Sequence, residues 1–117
     1  MLLPWLKAFV LTLAIECPIA AWLLRAQGVG RLRLAALLVF ANLATHPLVW
    51  FVFPALAVHP WAAFCLSELF AVIAEGVFFV AALRVRAARA FAVSAAANGT
   101  SLALGLLLYR FVSGWMR

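Results

Sequence analysis

Hydrophobic positions along this chain form four long blocks. The blocks are Pro4 to Arg25, Leu32 to Phe53, Trp61 to Arg84 and Ala88 to Val112. About 20 apolar residues wound as an α-helix match the roughly 30 Å hydrocarbon core of a bilayer. Strands of a membrane barrel would instead alternate apolar and polar residues over about ten positions. The pattern therefore predicts an all-α integral membrane protein, a bundle of four transmembrane helices forming one domain over residues 1–117.

Polar residues interrupt these blocks in a repeated pattern. In each block one polar residue stands nine positions from an arginine near the end of the block. The four pairs are Glu16 with Arg25, Asn42 with Arg33, Glu75 with Arg84, and Asn98 with Arg89. The second half of the chain thus repeats the order of the first. This order predicts two tandem helical hairpins, related as parallel repeats by a pseudo-two-fold axis along the membrane normal.

The equal spacing predicts a common depth for the four polar residues. Nine residues of helix, at 1.5 Å each, span about 14 Å, which is close to half of the hydrocarbon core. A carboxyl or carboxamide that faces lipid at this depth costs several kcal/mol. We therefore expect Glu16, Asn42, Glu75 and Asn98 to face the bundle axis and to form a ligand-binding cluster. For the two asparagines, hydrogen bonds that only hold helices together are an equally good interpretation.

Two further polar residues lie on the same helix faces, farther from the arginines. The helical rise places His46 about 20 Å and Glu68 about 24 Å from the arginine-rich ends. His46, Glu68, Glu75 and Glu16 are the predicted metal-ligand set. Imidazole and carboxylate ligands suit zinc, manganese or iron. Without a metal, His46 would be a hydrogen-bonded packing residue, and the acids would be protonated or would bind another cation.

Four residues beside this cluster have predicted supporting roles. Pro18 and Pro47 lie inside blocks, where a missing N–H bends a helix and leaves a backbone carbonyl free. Thr45 can donate its hydroxyl to a carbonyl one turn earlier, and Ser101 extends the polar face around Asn98. Small residues on the fourth helix predict a track for close helix contact, namely Ala95, Gly99 and Ala103.

Composition and charge agree with the membrane class. Hydrophobic residues make up 70% of the chain, charged residues 10%, and the mean hydropathy is +1.20. The net charge of +6 does not indicate nucleic acid, because the arginines crowd the first and third connections and avoid residues 54–60. This asymmetry predicts a multi-pass protein of the bacterial inner (plasma) membrane, in contact with anionic lipid headgroups, with both termini outside. Aromatic residues near the block ends predict an interfacial belt: Trp5, Trp50, Phe51, Phe53, Trp61 and Trp115.

Three functions remain open from the sequence. The leading hypothesis is that the protein binds and translocates a small cation, either a divalent metal or protons coupled to another solute. Four helices alone leave little room for a transport path, so a homodimer or a larger membrane complex is expected. The first alternative is a non-catalytic subunit or assembly factor of a larger membrane complex. The second is an intramembrane hydrolase that uses a metal or acid/base chemistry, for which no catalytic residue is assigned.

Overall fold

A computed structural model describes residues 2–28 and 30–111, and this part of the chain is all-helical, without a strand. The four long helices are α1 (Leu2–Leu23), α2 (Arg31–Pro47), α3 (Pro60–Leu83) and α4 (Ala87–Phe111). Each is long and apolar enough to cross a membrane, α2 together with its continuation to Ala55. The predicted four-helix class is confirmed, with helix ends shifted by a few residues. The predicted last position, Val112, lies outside the described residues.

Two tight connections join the helices at the arginine-rich end, which we call the arginine end. After α1, a short 3-10 turn at Arg25–Gln27 leads to Gly28, whose φ of 71° is left-handed. After α3, Arg84 takes a φ of 54° and ends the helix directly before α4. A left-handed residue commonly stops a helix, because it turns the chain away from the helix axis. Both hairpins therefore reverse direction within a few residues.

The end of α2 departs from regular helix. After Pro47 the chain widens into a π-helical turn at Leu48–Val52, in which the N–H of Phe53 bonds to the carbonyl of Leu48. A 3-10 turn at Phe53–Ala55 follows and leads into the connection to α3. Proline removes a helical hydrogen bond, and π-turns often occur where the helical ladder is interrupted. The bend predicted at Pro47 thus takes the form of a wide turn, whereas α1 continues as helix through Pro18.

The helices form a ring in chain order, because each contacts the next and α4 also packs against α1. The buried apolar residues lie mainly toward the arginine end. They form one cluster, called here the arginine-end core: Ala20, Leu24, Leu34, Leu38, Phe79, Val85, Ala90 and Val93. Large apolar side chains such as Leu69 and Ile73 are exposed, as expected for surfaces that face lipid. The opposite end of the bundle, around residues 48–59, lacks such a core.

Close packing between α3 and α4 depends on Gly76. A methyl group built at Gly76 would overlap the ring of Phe91. We expect Gly76→Ala to destabilise the bundle by at least about 1 kcal/mol, because overpacking forces the ring or the helix to move. Thermal unfolding in detergent measures the effect. Gly99→Ala is the matched control, since nothing lies within 4 Å of the position its methyl would occupy, and an equal loss in both variants would contradict the assignment.

The small-residue track of α4 does not form a contact inside the chain. Ala95, Gly99 and Ala103 are exposed, and no atom lies close to the added methyl position of Gly99. Instead, α4 contacts its neighbours through Ala90, Val93 and other buried positions on a different face. The predicted close contact is therefore not made by any helix of the described chain.

Candidate functional site

Two glutamates from different hairpins meet inside the bundle. Glu16 on α1 is 0% exposed and Glu75 on α3 is 1% exposed. Their carboxyl groups are neighbours, within the range in which a hydrogen bond joins them if one carries a proton. Both side chains thus face the interior of the bundle and lie next to each other, whereas a ligand at this pair stays a prediction. They form the centre of the candidate site.

Each glutamate accepts a hydrogen bond from the asparagine of its own hairpin. Asn42 Nδ2 donates to Glu16 Oε2 at 3.2 Å, and Asn98 Nδ2 donates to Glu75 Oε2. Each carboxamide also donates to the backbone carbonyl four residues earlier in its own helix, at 2.9 Å in both cases. The same local arrangement thus occurs twice, once in each hairpin. The bond to the helix backbone fixes each carboxamide so that its remaining N–H can donate to the glutamate.

The second oxygen of each glutamate has different surroundings. Ser101 Oγ on α4 donates to Glu16 Oε1 at 3.2 Å, which links the two hairpins. Thr45, at the corresponding position of α2, donates instead to the carbonyl of Ala41 at 3.0 Å. As a result Glu75 Oε1 is buried without a hydrogen-bond partner in the described part of the chain. Buried oxygens are usually satisfied, so this atom is a place for a proton or a cation.

Among the described residues, the groups that donate hydrogen bonds to the two acids are neutral. The hydrogen bonds to them come from carboxamides and a hydroxyl. Two arginines of the opposite hairpins bind backbone carbonyls away from the acids: Arg33 Nη2 donates to Ala82 O at 2.9 Å and Arg89 Nη1 to Leu23 O at 3.1 Å. These two bonds cross between the hairpins at the arginine end. Because an isolated buried carboxylate is very unfavourable, two adjacent ones require a positive charge between them.

A cavity of about 660 Å³ extends from Glu16 toward the end of the bundle opposite the arginines. All four helices contribute to its wall, and it reaches the exposed residues Pro54 and Val58 of the connection between α2 and α3, as well as Pro60 at the start of α3. Its polar lining comprises Thr12, Glu16, Asn42, Thr45, His46, Ser67, Glu68, Asn98 and Ser101. Most predicted site residues therefore line one cavity. Glu75, Pro18 and Pro47 are not among its lining residues.

His46 lies among aromatic rings within this wall. Its ring centroid is 5.6 Å from that of Phe9, 6.2 Å from that of Trp5 and 6.3 Å from that of Trp50. The residue is 9% exposed, and its Nδ1 atom lacks a hydrogen-bond partner among the described residues. As a hydrogen-bonded packing histidine would, the ring of His46 packs closely against its neighbours. Its Nδ1, however, has no hydrogen-bond partner among the described residues.

The metal-ligand set predicted from the sequence is only partly assembled. Glu16, His46 and Glu68 line the same cavity, whereas Glu75 does not. Within residues 2–28 and 30–111, no three His, Cys, Asp or Glu side chains are grouped as metal ligands would be. A site for zinc, manganese or iron therefore stays a prediction. The donors present would need to move together around such an ion.

Sequence reasoning missed the aromatic and apolar part of the cavity wall. Trp50 and Phe53 had been expected in an interfacial belt, yet both line the cavity, as does Phe64. The π-turn after Pro47 carries Trp50 and ends beside Phe53. The available signal was the aromatic run directly after a proline inside an apolar block. The widening of the helix there could not be read from hydropathy, because it depends on hydrogen bonds and packing.

The chain matches no protein-family model, no curated protein and no solved structure. Its function has to be inferred from the chemistry of this site. Two adjacent acids held by neutral donors can accept and release a proton or another cation. The cavity beside them gives one acid, Glu16, access to a ligand.

Proposed function

We propose that this membrane protein binds a small cation at the Glu16–Glu75 pair and passes it across the bilayer, the cation being a proton exchanged through the cavity. Glu16 is the member of the pair that lines the cavity, so it exchanges the proton with the solution. Glu75 lies behind it and holds the proton at the inner side of the pair. Asn42, Asn98 and Ser101 keep the carboxyl groups in place by hydrogen bonds.

The observation that carries this proposal is the meeting of two buried carboxyls that have no charged hydrogen-bond partner within residues 2–28 and 30–111. Intramembrane acids are costly, and in membrane proteins they commonly mark ion pathways and proton relays. A proton shared by the pair removes the repulsion between two like charges and satisfies the free oxygen of Glu75. The acids would not need a shared proton if they were far apart or paired with arginine.

A proton fits the described arrangement better than a divalent metal does. A metal usually requires three or more protein ligands at about 2.0–2.6 Å, arranged around a single point. The hydrogen bonds from Asn42 and Ser101 occupy oxygens of Glu16 that a metal would need. A metal remains the second occupant to be tested at this pair.

We also infer that the two hairpins are parallel repeats and that the arginine end faces the cytoplasm. The repeated Glu–Asn bonds support the first inference. So do the crossed arginine bonds, since Leu23 and Ala82 both follow their glutamates by seven residues (16 + 7 = 23; 75 + 7 = 82). The arginine-rich connections support the second, because positively charged loops are retained on the cytoplasmic side.

Infrared spectroscopy of the protein in lipid tests the shared proton. The chain has three acidic residues, all glutamates, so carboxyl-¹³C glutamate labels only Glu16, Glu68 and Glu75 among the side-chain carboxyls. At neutral pH we expect the C=O stretch of a protonated carboxylic acid in the wild type. The band should be lost in the double variant Glu16→Gln/Glu75→Gln and retained in Glu68→Gln.

Elemental analysis of the same samples separates a proton from a metal. An acid band without bound metal supports the proposal. Bound zinc, manganese or iron that disappears in the double variant, together with a missing acid band, would replace the proton by a metal. A wild type with neither the band nor a metal would refute cation binding at this pair.

A further inference from the structure

We propose that the cavity binds a lipophilic organic cation, a molecule with an apolar body and one positive charge. This inference rests on the proposed function, because the occupant would compete with a proton for the same acidic wall. It adds the chemical class of the solute, which the pair of glutamates alone does not define.

The size and lining of the cavity call for an organic molecule. Its volume of about 660 Å³ lies within the range of about 300–1,000 Å³ that holds drug-sized ligands. A proton or a hydrated metal ion would fill only a small part of this space. Most lining residues are apolar, including Leu11, Val49, Ala63, Leu102 and Leu106. An apolar body can replace water against these side chains without leaving polar groups unpaired.

The charge of the wall selects a cation. Glu16 and Glu68 line the cavity, whereas none of its described lining residues is Lys or Arg. Glu16 is fully buried at the deep end, whereas Glu68 is half-buried nearer the opposite end. A cation between them would gain attraction from both carboxyl groups. An anion of the same shape would meet like charge without a compensating base, which costs several kcal/mol.

Aromatic rings and an unpaired imidazole nitrogen add to this selection. Trp50, Phe53 and Phe64 line the cavity, and the faces of such rings attract cations. His46 is about nine-tenths buried in the same wall, and its Nδ1 has no partner in the described chain. Polar atoms at this degree of burial usually find a partner. A bound molecule that offers a hydrogen bond would supply one.

Two probe ions of equal shape and opposite charge test the inference. Tetraphenylphosphonium and tetraphenylborate have similar apolar bodies, so a difference in binding reports the sign of the charge. We expect saturable binding of about one phosphonium per chain in equilibrium dialysis of the detergent-solubilised protein, and no saturable binding of the borate. Glu68→Gln should weaken phosphonium binding by at least about ten-fold.

Two phenylalanines provide a matched pair of variants for the aromatic wall. Phe64→Leu removes a ring from the cavity and should weaken phosphonium binding roughly two- to five-fold, as expected for a cation–π contact. Phe78→Leu, on the same helix, removes a ring that packs against Phe40 away from the cavity and should leave binding unchanged. Circular dichroism shows whether each variant remains folded.

The outcomes separate this inference from the proposed function. Equal binding of the two ions, absence of saturable phosphonium binding, or unchanged affinity in Glu68→Gln would overturn the organic-cation assignment. If the infrared acid band persists in those samples, the proton at the Glu16–Glu75 pair stands. If phosphonium binds as expected but the acid band is missing, the cavity assignment stands and the shared proton is wrong.

Discussion

Glu16→Gln is expected to reduce proton passage by at least about ten-fold, equivalent to about 1.4 kcal/mol in the rate-limiting step. Glutamine keeps the size of the side chain, and its one carbonyl oxygen can accept a hydrogen bond from either Asn42 or Ser101, but it cannot carry a proton. Purified protein in liposomes with a trapped pH indicator provides the measurement. A potassium gradient with valinomycin sets the membrane potential that drives protons inward.

Glu16→Asp and Cys65→Ser complete this experiment. Aspartate keeps a titratable group but moves it away from Asn42 and Ser101, so we expect an intermediate rate. Cys65 is exposed and does not line the cavity, so Cys65→Ser controls for reconstitution. A Glu16→Gln protein that conducts protons at the wild-type rate would exclude Glu16 as the exchanging group.

Phe79→Ala is expected to produce the largest loss of stability, about 2–3 kcal/mol. Phe79 is 0% exposed and lies within the arginine-end core. Truncation of a buried phenylalanine costs about 3–5 kcal/mol in soluble proteins. Transfer from water contributes little between transmembrane helices, so the loss of packing contacts accounts for our smaller value. Unfolding in mixed micelles of increasing denaturing detergent gives the free-energy difference.

Phe78→Ala serves as the neighbouring control on the same helix. Phe78 is half-buried and contacts Phe40 in a T-shaped pair near the surface. We expect its truncation to cost about 1 kcal/mol or less. Equal losses at both positions would show that the arginine-end core contributes no more to stability than the lipid-facing surface does.

The fold could be predicted well because hydropathy alone specifies it. A bilayer requires long apolar helices, so the blocks beginning near Pro4, Leu32, Trp61 and Ala88 correspond to α1 through α4. The helix ends were less certain, as at α2, where regular helix stops at Pro47. Local hydrogen bonding around the proline decides that boundary, and hydropathy does not record it.

The four inward-facing polar residues of the site could be predicted from their spacing, but the rest of the site could not. Equal distances from the arginines placed Glu16, Asn42, Glu75 and Asn98 at one depth, and the high cost of exposing them to lipid turned them inward. The direction in which each helix turns its remaining side chains depends on packing against residues that are distant in the sequence. The outward direction of the Ala95–Ala103 track is one example. The absence of Glu75 from the cavity lining, although Glu16 lines it, is another.

The crossed bonds from Arg33 to Ala82 and from Arg89 to Leu23 have a consequence for how the bundle can move. Each bond joins one hairpin to the other, so neither hairpin closes the arginine end alone. A rocking motion that separates the hairpins there would break both bonds in one event. Under the proposed transport role, opening of the bundle between the hairpins at that end would therefore require both bonds to be lost.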